Sequence, residues 1–592
     1  MNLKKAFSII YAFIACWTIP NSVFAQAINQ HFFGQNAWYS DYSATGSGDT
    51  PLYTHWGDID ESGVHYVRVG GNNFNLLNTP NITKIVDLID QIRANGMEPI
   101  MSVSFPNPGN DNSNLNVNAA TAASLVYDIN NVSSPYYRYV EKWVIANEPD
   151  QCSNVSPNFC SSGHQQGYSY DGTHGNDIQY IADYIKKFSI EMKKIDNTIK
   201  IIGPEISYYI DNIYDALFVN GVGSGNDISG LIPATYQSVS TGAAYNKPFV
   251  DYLSVHIYPN DFSTGSTSTN RTTAIAQLQT AETTSGSLRW QLKQLKDKVT
   301  AINASTQRSS TPIKLVVTET NVAYENEASN TQPAITLGND NRSFLGGQWW
   351  AEWMSVLMQY NVDWVNFWSA VENPFGYIDA SGNKRSAYWH FKMMAENFKG
   401  TNTTFLPNGY SNSTNYKAFA YKNTTANEIG VIILNQDIQT TPSRGTDYNT
   451  KSFKINFNNG TPSGMYDMKF SFNGSASAIA DYPCTIMKET TMLLVFDTNT
   501  GALKKRESYS LQDALRTVDT GTYTNITNDS PSYLYNNFTN PTPVHSNIVI
   551  GTGNTITAGV NQNFKATNSI QLNGPYNSNN YTLELSIDHT CP

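Results

Sequence analysis

Cysteine is scarce in this chain, five residues in 592, and neither a Cys-x-x-Cys nor a His-Glu-x-x-His spacing occurs, so no metal and no cofactor is implied. Charge is sparse too. Charged residues make up 14% of the chain, with 37 Lys and Arg against 48 Asp and Glu, a net charge of −11 and an isoelectric point near 5.3. A phosphate-backbone partner calls for a basic stripe, so nucleic acid is not expected. After residue 25 no stretch reaches the ~20 apolar residues of a membrane span, and none is expected.

The N-terminus reads as an export signal: Lys4 and Lys5, apolar residues 6–17, Pro20, and a small-residue site at Val23-Phe24-Ala25, with cleavage expected after Ala25. Lipid attachment at Cys16 competes with this reading, but Phe13 three residues before it fits poorly and the apolar run continues past it. The expected location is therefore secreted or cell-surface. Four cysteines then remain, Cys152, Cys160, Cys484 and Cys591, in a compartment that permits disulfides; Cys152 and Cys160 close a short loop and are expected to form a local bridge.

Hydrophobic residues at 40% allow sizeable cores, and 592 residues are too many for one of them, so two or three domains are expected. From residue 26 a unit recurs: a short apolar strand, a polar or aromatic residue at its end, a loop, a helical pattern. Strands are expected at 32–38, 65–71, 99–104, 143–146, 200–205, 252–259, 314–319 and 362–369. Between the second and third, Ile82, Ile85, Val86, Leu88, Ile89 and Ile92 share a helix face, with Gly96 where a C-terminal cap belongs. Eight strands alternating with helices define an α/β fold, a closed (β/α)8 TIM barrel over 26–399; an open doubly wound sheet shares the alternation.

Past residue 400 the pattern becomes short alternating strands separated by turn residues, expected to form an antiparallel β-sandwich over 400–500. Residues 501–544 are polar, with Lys504-Lys505-Arg506 near their start, and read as a linker. Residues 545–592 read as a small β module of unknown role. The glycines at 221, 223 and 225 have no strand before them and no helix behind, so they form a turn and not a phosphate loop.

The chemistry concentrates at two strand ends. Trp143-Val144-Ile145-Ala146 delivers Asn147 and Glu148 where Pro149, lacking an N–H, stops the strand; Leu315-Val316-Val317-Thr318 delivers Glu319 in the same way. In a parallel barrel such ends open on one face, so the two carboxylates meet across its mouth. Breaking a glycosidic bond needs such a pair, one giving a proton to the leaving oxygen, the other attacking the anomeric carbon or directing water to it.

Ile145-Ala146-Asn147-Glu148-Pro149 together with Val317-Thr318-Glu319 resembles the clan A retaining glycoside hydrolases, over residues 32–398 in strand order. The resemblance implies that Glu148 is the acid/base and Glu319 the nucleophile, and that Arg68 on strand two steadies Glu319 and lowers its pKa. It implies further that Asn147 binds the sugar 2-hydroxyl, that His256 and Tyr258 touch the acid/base region and the nucleophile, and that Trp368 floors the reacting sugar. Ala146 departs from the clan, where glycine is common. Glu205, Asp41, Asn72 and Trp389 are further candidates for lining sugar sites. The expected protein is an exported retaining glycosidase with a polysaccharide or oligosaccharide as its partner. Its alternatives are a carbohydrate-binding or adhesion protein that kept the barrel without catalysis, and an inverting or non-glycosidic hydrolase on the same fold.

Overall fold

The computed structural model describes residues 26–38, 54–71, 81–103, 112–150, 176–236, 246–264, 267–327, 338–399, 403–406, 415–438, 450–456, 468–469, 482–497, 503–511, 516–519, 544–550, 562–572 and 583–587. Residues 1–25, expected to be an export signal, and Asp41, Asn72, Cys152, Cys160 and Cys591 lie outside these residues. Among the described residues no helix is long and apolar enough to cross a membrane.

Strands that are buried on both faces need near-continuous apolar sequence. Eight such runs pair in parallel and close: β1 Phe33–Trp38, β2 Tyr66–Gly70, β3 Glu98–Val103, β4 Lys142–Ile145, β5 Lys200–Ile206, β6 Tyr252–Ile257, β7 Lys314–Thr320 and β8 Val362–Phe367. The ring shuts where Gly34 of β1 pairs with Asn366 of β8. A Cβ on Gly34 would lie 2.5 Å from Asn366 Nδ2, so the seam requires glycine there. The closed ring excludes the open doubly wound sheet.

Helices cover the barrel with the apolar faces read from the sequence. In the helix Ile82–Ala94, residues Ile85, Val86, Leu88, Ile89 and Ile92 are buried, and the Asn81 side chain caps its start by accepting from the Lys84 N–H. Gly96 follows its end at φ +75°, as a left-handed cap position demands.

The barrel interior is divided by chemistry. Tyr66, Ile100, Val144, Ile202, Val316 and Trp364 form a separate apolar cluster inside the ring. Nearer the C-terminal ends of the strands, Asn36, Arg68, Glu205, His256, Thr318 and Glu319 are all buried and polar. Register brings Asn36 beside Arg68 and His256 beside Glu319. Between β6 and β7 the pairing steps from Val255–Val317 to His256–Glu319, an irregularity that skips Thr318 and re-aims the end of β7.

After the last barrel helix, Ser386–Asn397, the chain builds β9 Thr403–Leu406, β10 Tyr416–Asn423, β11 Glu428–Asn435, β12 Thr450–Asn456, β13 Met468–Lys469, β14 Tyr482–Met487, β15 Thr490–Asp497, β16 Leu503–Ser510 and β17 Arg516–Asp519. A seven-stranded antiparallel sheet runs from the N-terminal pair Gln26–Ala27 through β9, β10, β11, β15 and β16 to β17, and β12, β13 and β14 form a second sheet. Two expected boundaries therefore shift. Residues 503–510 and 516–519, read as linker, are sheet strands, and residues 26–27, read as barrel, pair with β9.

The large sheet is tied to the barrel by buried polar contacts. Lys417 on β10 pairs with Glu352 of the helix Phe344–Gln359, Gln348 of that helix donates to the Asn435 and Thr490 carbonyls, and His390 bonds Thr491. Breaking a buried pair by removing one partner costs about 3–5 kcal/mol, so this contact is structural. Beyond it, β18 Val544–Ile550, β19 Gln562–Leu572 and β20 Leu583–Ile587 form a parallel three-stranded sheet.

Candidate active site

The ends of β4, β5, β6 and β7 converge on a cavity of about 820 Å³ at the C-terminal face of the barrel, lined among others by Asn147, Glu148, His256, Tyr258, Glu319 and Trp368. Sharp backbone turns deliver the acids. Ala146 and Glu148 have φ of +66° and +44°, and Glu205 has +60°, a conformation that L-residues adopt at a cost of roughly 1–3 kcal/mol. The Glu148 N–H donates to the Glu205 carbonyl (2.9 Å), locking the end of β4 to β5.

Arg68, fully buried on β2, organises the floor. One guanidinium nitrogen donates to Asn36 Oδ1 (3.0 Å) and Glu319 Oε1 (2.8 Å); the other donates to Asn147 Oδ1 and Glu205 Oε2 (both 2.7 Å). Planar, rigid donors suit such bidentate holding, and a lysine could not replace them. Tyr258 donates its hydroxyl to the other oxygen of Glu319 (2.9 Å). Burial, with the charges of Glu319 and Glu148, raises the Tyr258 pKa well above its ordinary value, so the hydroxyl stays a donor.

His256 spans the acids. Its Nδ1 lies 3.0 Å from Glu148 Oε1 and 3.6 Å from Glu319 Oε2, and its Nε2 lies 3.2 Å from Glu205 Oε2. One side-chain oxygen each of Glu148 and Glu319, together with a His256 ring nitrogen, fall within 4.8 Å of one another. Three donors so grouped invite comparison with a cation site. Both His256 nitrogens are already turned to carboxylates, however, and Arg68 supplies a charge to Glu319, so the carboxylates of the cluster already have partners within the protein.

Burial pushes the Glu319 carboxyl up, and the Glu148 charge adds to this, against His256, Arg68 and Tyr258; the net direction is upward. This differs from the expectation that Arg68 would lower it. The guanidinium does pull Glu319 down, but it is shared with Glu205, and a fully enclosed carboxylate loses more hydration than half a cation returns. Glu205 is opposite: burial would raise it, but Arg68 and His256 depress it to about 2.

Trp368 is buried at the cavity wall, and its ring edge faces Gly71. At Gly71, φ is +96° and an added Cβ would lie 2.7 Å from the Trp368 ring. Gly71→Ala is therefore expected to displace the indole and lower kcat/KM at least tenfold, with a stability loss of about 1–3 kcal/mol read from denaturant midpoints. An unchanged kcat/KM would show that the position of Trp368 does not matter to the substrate.

The site thus brings Glu148, Glu319, Asn147, His256, Tyr258 and Trp368 around one cavity, with Arg68 buried behind them against Glu319 and Asn147. Trp389 is elsewhere, on the helix Ser386–Asn397, packed against the core. Sequence reading put no particular weight on Glu205 and passed over Asn36 and the exposed cavity tyrosines Tyr208 and Tyr324. Asn36 and Glu205 each interrupt an apolar run inside a strand, the available signal that a polar side chain is buried and needs partners.

No known family profile and no curated protein matches the chain. Solved structures do. A GH30 endoxylanase from Clostridium papyrosolvens is similar at 11% identity over 80% of this chain and 98% of its own, with a TM-score of 0.45. CelM2, a bifunctional glucanase-xylanase protein from a metagenome library, is similar at 15% identity over 80% and 96%, with a TM-score of 0.47. A xyloglucanase of family GH44 from Paenibacillus polymyxa is similar at 13% identity over 80% and 98%, with a TM-score of 0.43. At these identities the likeness is one of chain path, and no activity follows from it.

Proposed function

We propose that the protein is an exported retaining glycoside hydrolase that cleaves a polysaccharide or oligosaccharide by double displacement. The observation that carries this reading is the closeness of two carboxylates from opposite sides of one barrel mouth, with Glu148 and Glu319 oxygens within 4.8 Å. Retaining enzymes place the two carboxyl groups about 5–5.5 Å apart, whereas inverting ones leave roughly 6.5–9.5 Å for a water. Export rests on the character of residues 1–25.

Glu319, gripped on one oxygen by Arg68 and on the other by Tyr258, is the nucleophile. Both partners stabilise its anion, and the Tyr258 bond is free to weaken as the carboxylate charge is spent on the new glycosyl–oxygen bond. Glu148 gives its proton to the departing oxygen. Once the ester forms, Glu148 has spent its proton and takes one from the incoming water. Asn147, fixed through its Oδ1 to Arg68, is placed on the cavity wall for the sugar 2-hydroxyl, whose contact strengthens in the oxocarbenium-like transition state. Trp368 offers the apolar face for the ring.

The test is covalent trapping. Substrates with fluorine at C2 slow both steps, and an activated leaving group restores the first, so the glycosyl-enzyme accumulates. Screening activated 2-fluoro sugars of the xylose, glucose, galactose, mannose and arabinose series by intact-protein mass spectrometry is expected to give a one-sugar adduct, mapped by peptide digestion to Glu319. An adduct on another residue, or hydrolysis without any adduct, would overturn the assignment.

A further inference from the structure

Double displacement uses two carboxylates, and the site holds a third that the reaction does not consume. Glu205 is fully buried below the cavity. Its Oε2 accepts from Arg68 (2.7 Å) and faces His256 Nε2 (3.2 Å), its Oε1 accepts from the Thr318 hydroxyl (2.8 Å), and its backbone N–H donates to Ser254 Oγ (3.0 Å). A buried carboxylate held this firmly stays ionised.

That narrows what His256 can be. His256 faces Glu148 with one nitrogen and Glu205 with the other, so either both ring nitrogens donate, or a neutral ring donates to Glu205 and accepts from a proton on Glu148 Oε1. The charges around it come from every neighbouring strand: Glu148 from β4, Glu205 from β5, Glu319 from β7, with Arg68 of β2 reaching Glu205 and Glu319. Asp150, Tyr184 and Tyr214 lie further out, the two tyrosines feeling the Glu205 charge and burial keeping them neutral.

We propose that Glu205 is a positioning residue that holds His256 with a proton on each ring nitrogen, so that a fixed N–H grips and orients Glu148 Oε1. Three carboxylates then face two permanent cations, Arg68 and His256, which leaves one negative charge and room for the single proton that an acid/base needs. Burial alone would lower the His256 pKa, but Glu319, Glu148 and Glu205 raise it to about 10. The catalytic meaning rests on the glycosidase reading; the charge state of His256 does not.

The experiment is ¹⁵N NMR of histidine-labelled protein, with the His256 ring signals assigned by their loss in His256→Gln. In the wild type both ring nitrogens are expected to remain protonated from about pH 5 to about pH 9. In Glu205→Gln the ring is expected to titrate at least about two pH units lower than in the wild type. Thr318→Val, which removes one of the bonds that orient Glu205, shifts it in the same direction by less. In the kcat/KM profile of Glu205→Gln an added ionisation appears at the pH where NMR sees the proton leave, a result that a merely structural role would not produce.

A wild-type His256 with one unprotonated nitrogen at neutral pH overturns the proposal, and so does a Glu205→Gln ring that titrates like the wild type. Should Glu205→Gln fail to fold, the wild-type spectrum and Thr318→Val decide, and a Thr318→Val ring that titrates like the wild type overturns the proposal. A doubly protonated His256 in a protein that hydrolyses no glycoside would leave this charge assignment standing and remove the catalytic reading.

Discussion

Replacing Glu319 by alanine is expected to lower kcat by at least about 10,000-fold, equivalent to roughly 5.5 kcal/mol of transition-state stabilisation, because the proposed reaction has Glu319 attack the anomeric carbon. The loss is chemical, and a companion separates it from damage to the fold. Glu319→Ala leaves Arg68 and Tyr258 each short of a buried partner, at a cost of a few kcal/mol. Glu319→Gln keeps the shape and an acceptor for one of them, so it is expected to be the more stable of the two and equally inactive. Steady-state rates and denaturant midpoints read the two effects apart. Retention of more than about one hundredth of the activity in the folded glutamine variant would remove Glu319 from the nucleophile role.

Glu148→Ala has a different signature. Substrates with poor leaving groups lose the proton they need at the departing oxygen, so kcat/KM falls by about 100- to 10,000-fold. An aryl glycoside whose leaving group departs unaided should react at the first step within about tenfold of the wild type, and then stall because water lacks a base. Azide needs no base, and it is expected to raise turnover of the activated substrate at least tenfold and yield a glycosyl azide of retained configuration. Equal losses on good and poor leaving groups, with no effect of azide, would mean that Glu148 does not handle the proton.

These two acids could be read from the chain because each combines a strand-ending position with a local signal, an apolar run before it and, at Glu148, the proline that stops the strand. Arg68 was reached through the clan resemblance, and its burial inside Tyr66-Val67-Arg68-Val69 is what makes its pairing necessary. Glu205 has the same kind of setting, between Ile201-Ile202 and Ile206, but what makes it matter is contact with Arg68 and His256, 137 and 51 residues away. Separations of that size leave no trace in a local pattern.

The direction of the Glu319 shift failed for a similar reason. Burial of the Glu319 carboxyl outweighs the pull of Arg68, which Glu205 also shares, and only the closed ring encloses the carboxyl and brings both acids to the same guanidinium. Beyond the barrel, Lys504-Lys505-Arg506 looked like solvated linker. In the sheet Lys504 pairs with Glu428, Lys505 reaches Glu507 and Asn397, and Tyr509 packs on Phe344 and His390, so β16 is a strand whose charges are matched by neighbours. Alternation was present there, masked by paired charge. The two-residue strand Gln26–Ala27 is too short to carry any pattern, and its place follows from pairing with β9.

Proton NMR of the first sugar released, recorded before mutarotation, tests the central claim most directly. Two successive displacements at one carbon, the first by Glu319 and the second by water drawn on by Glu148, deliver the anomer that the substrate began with. The opposite anomer as first product would contradict the account.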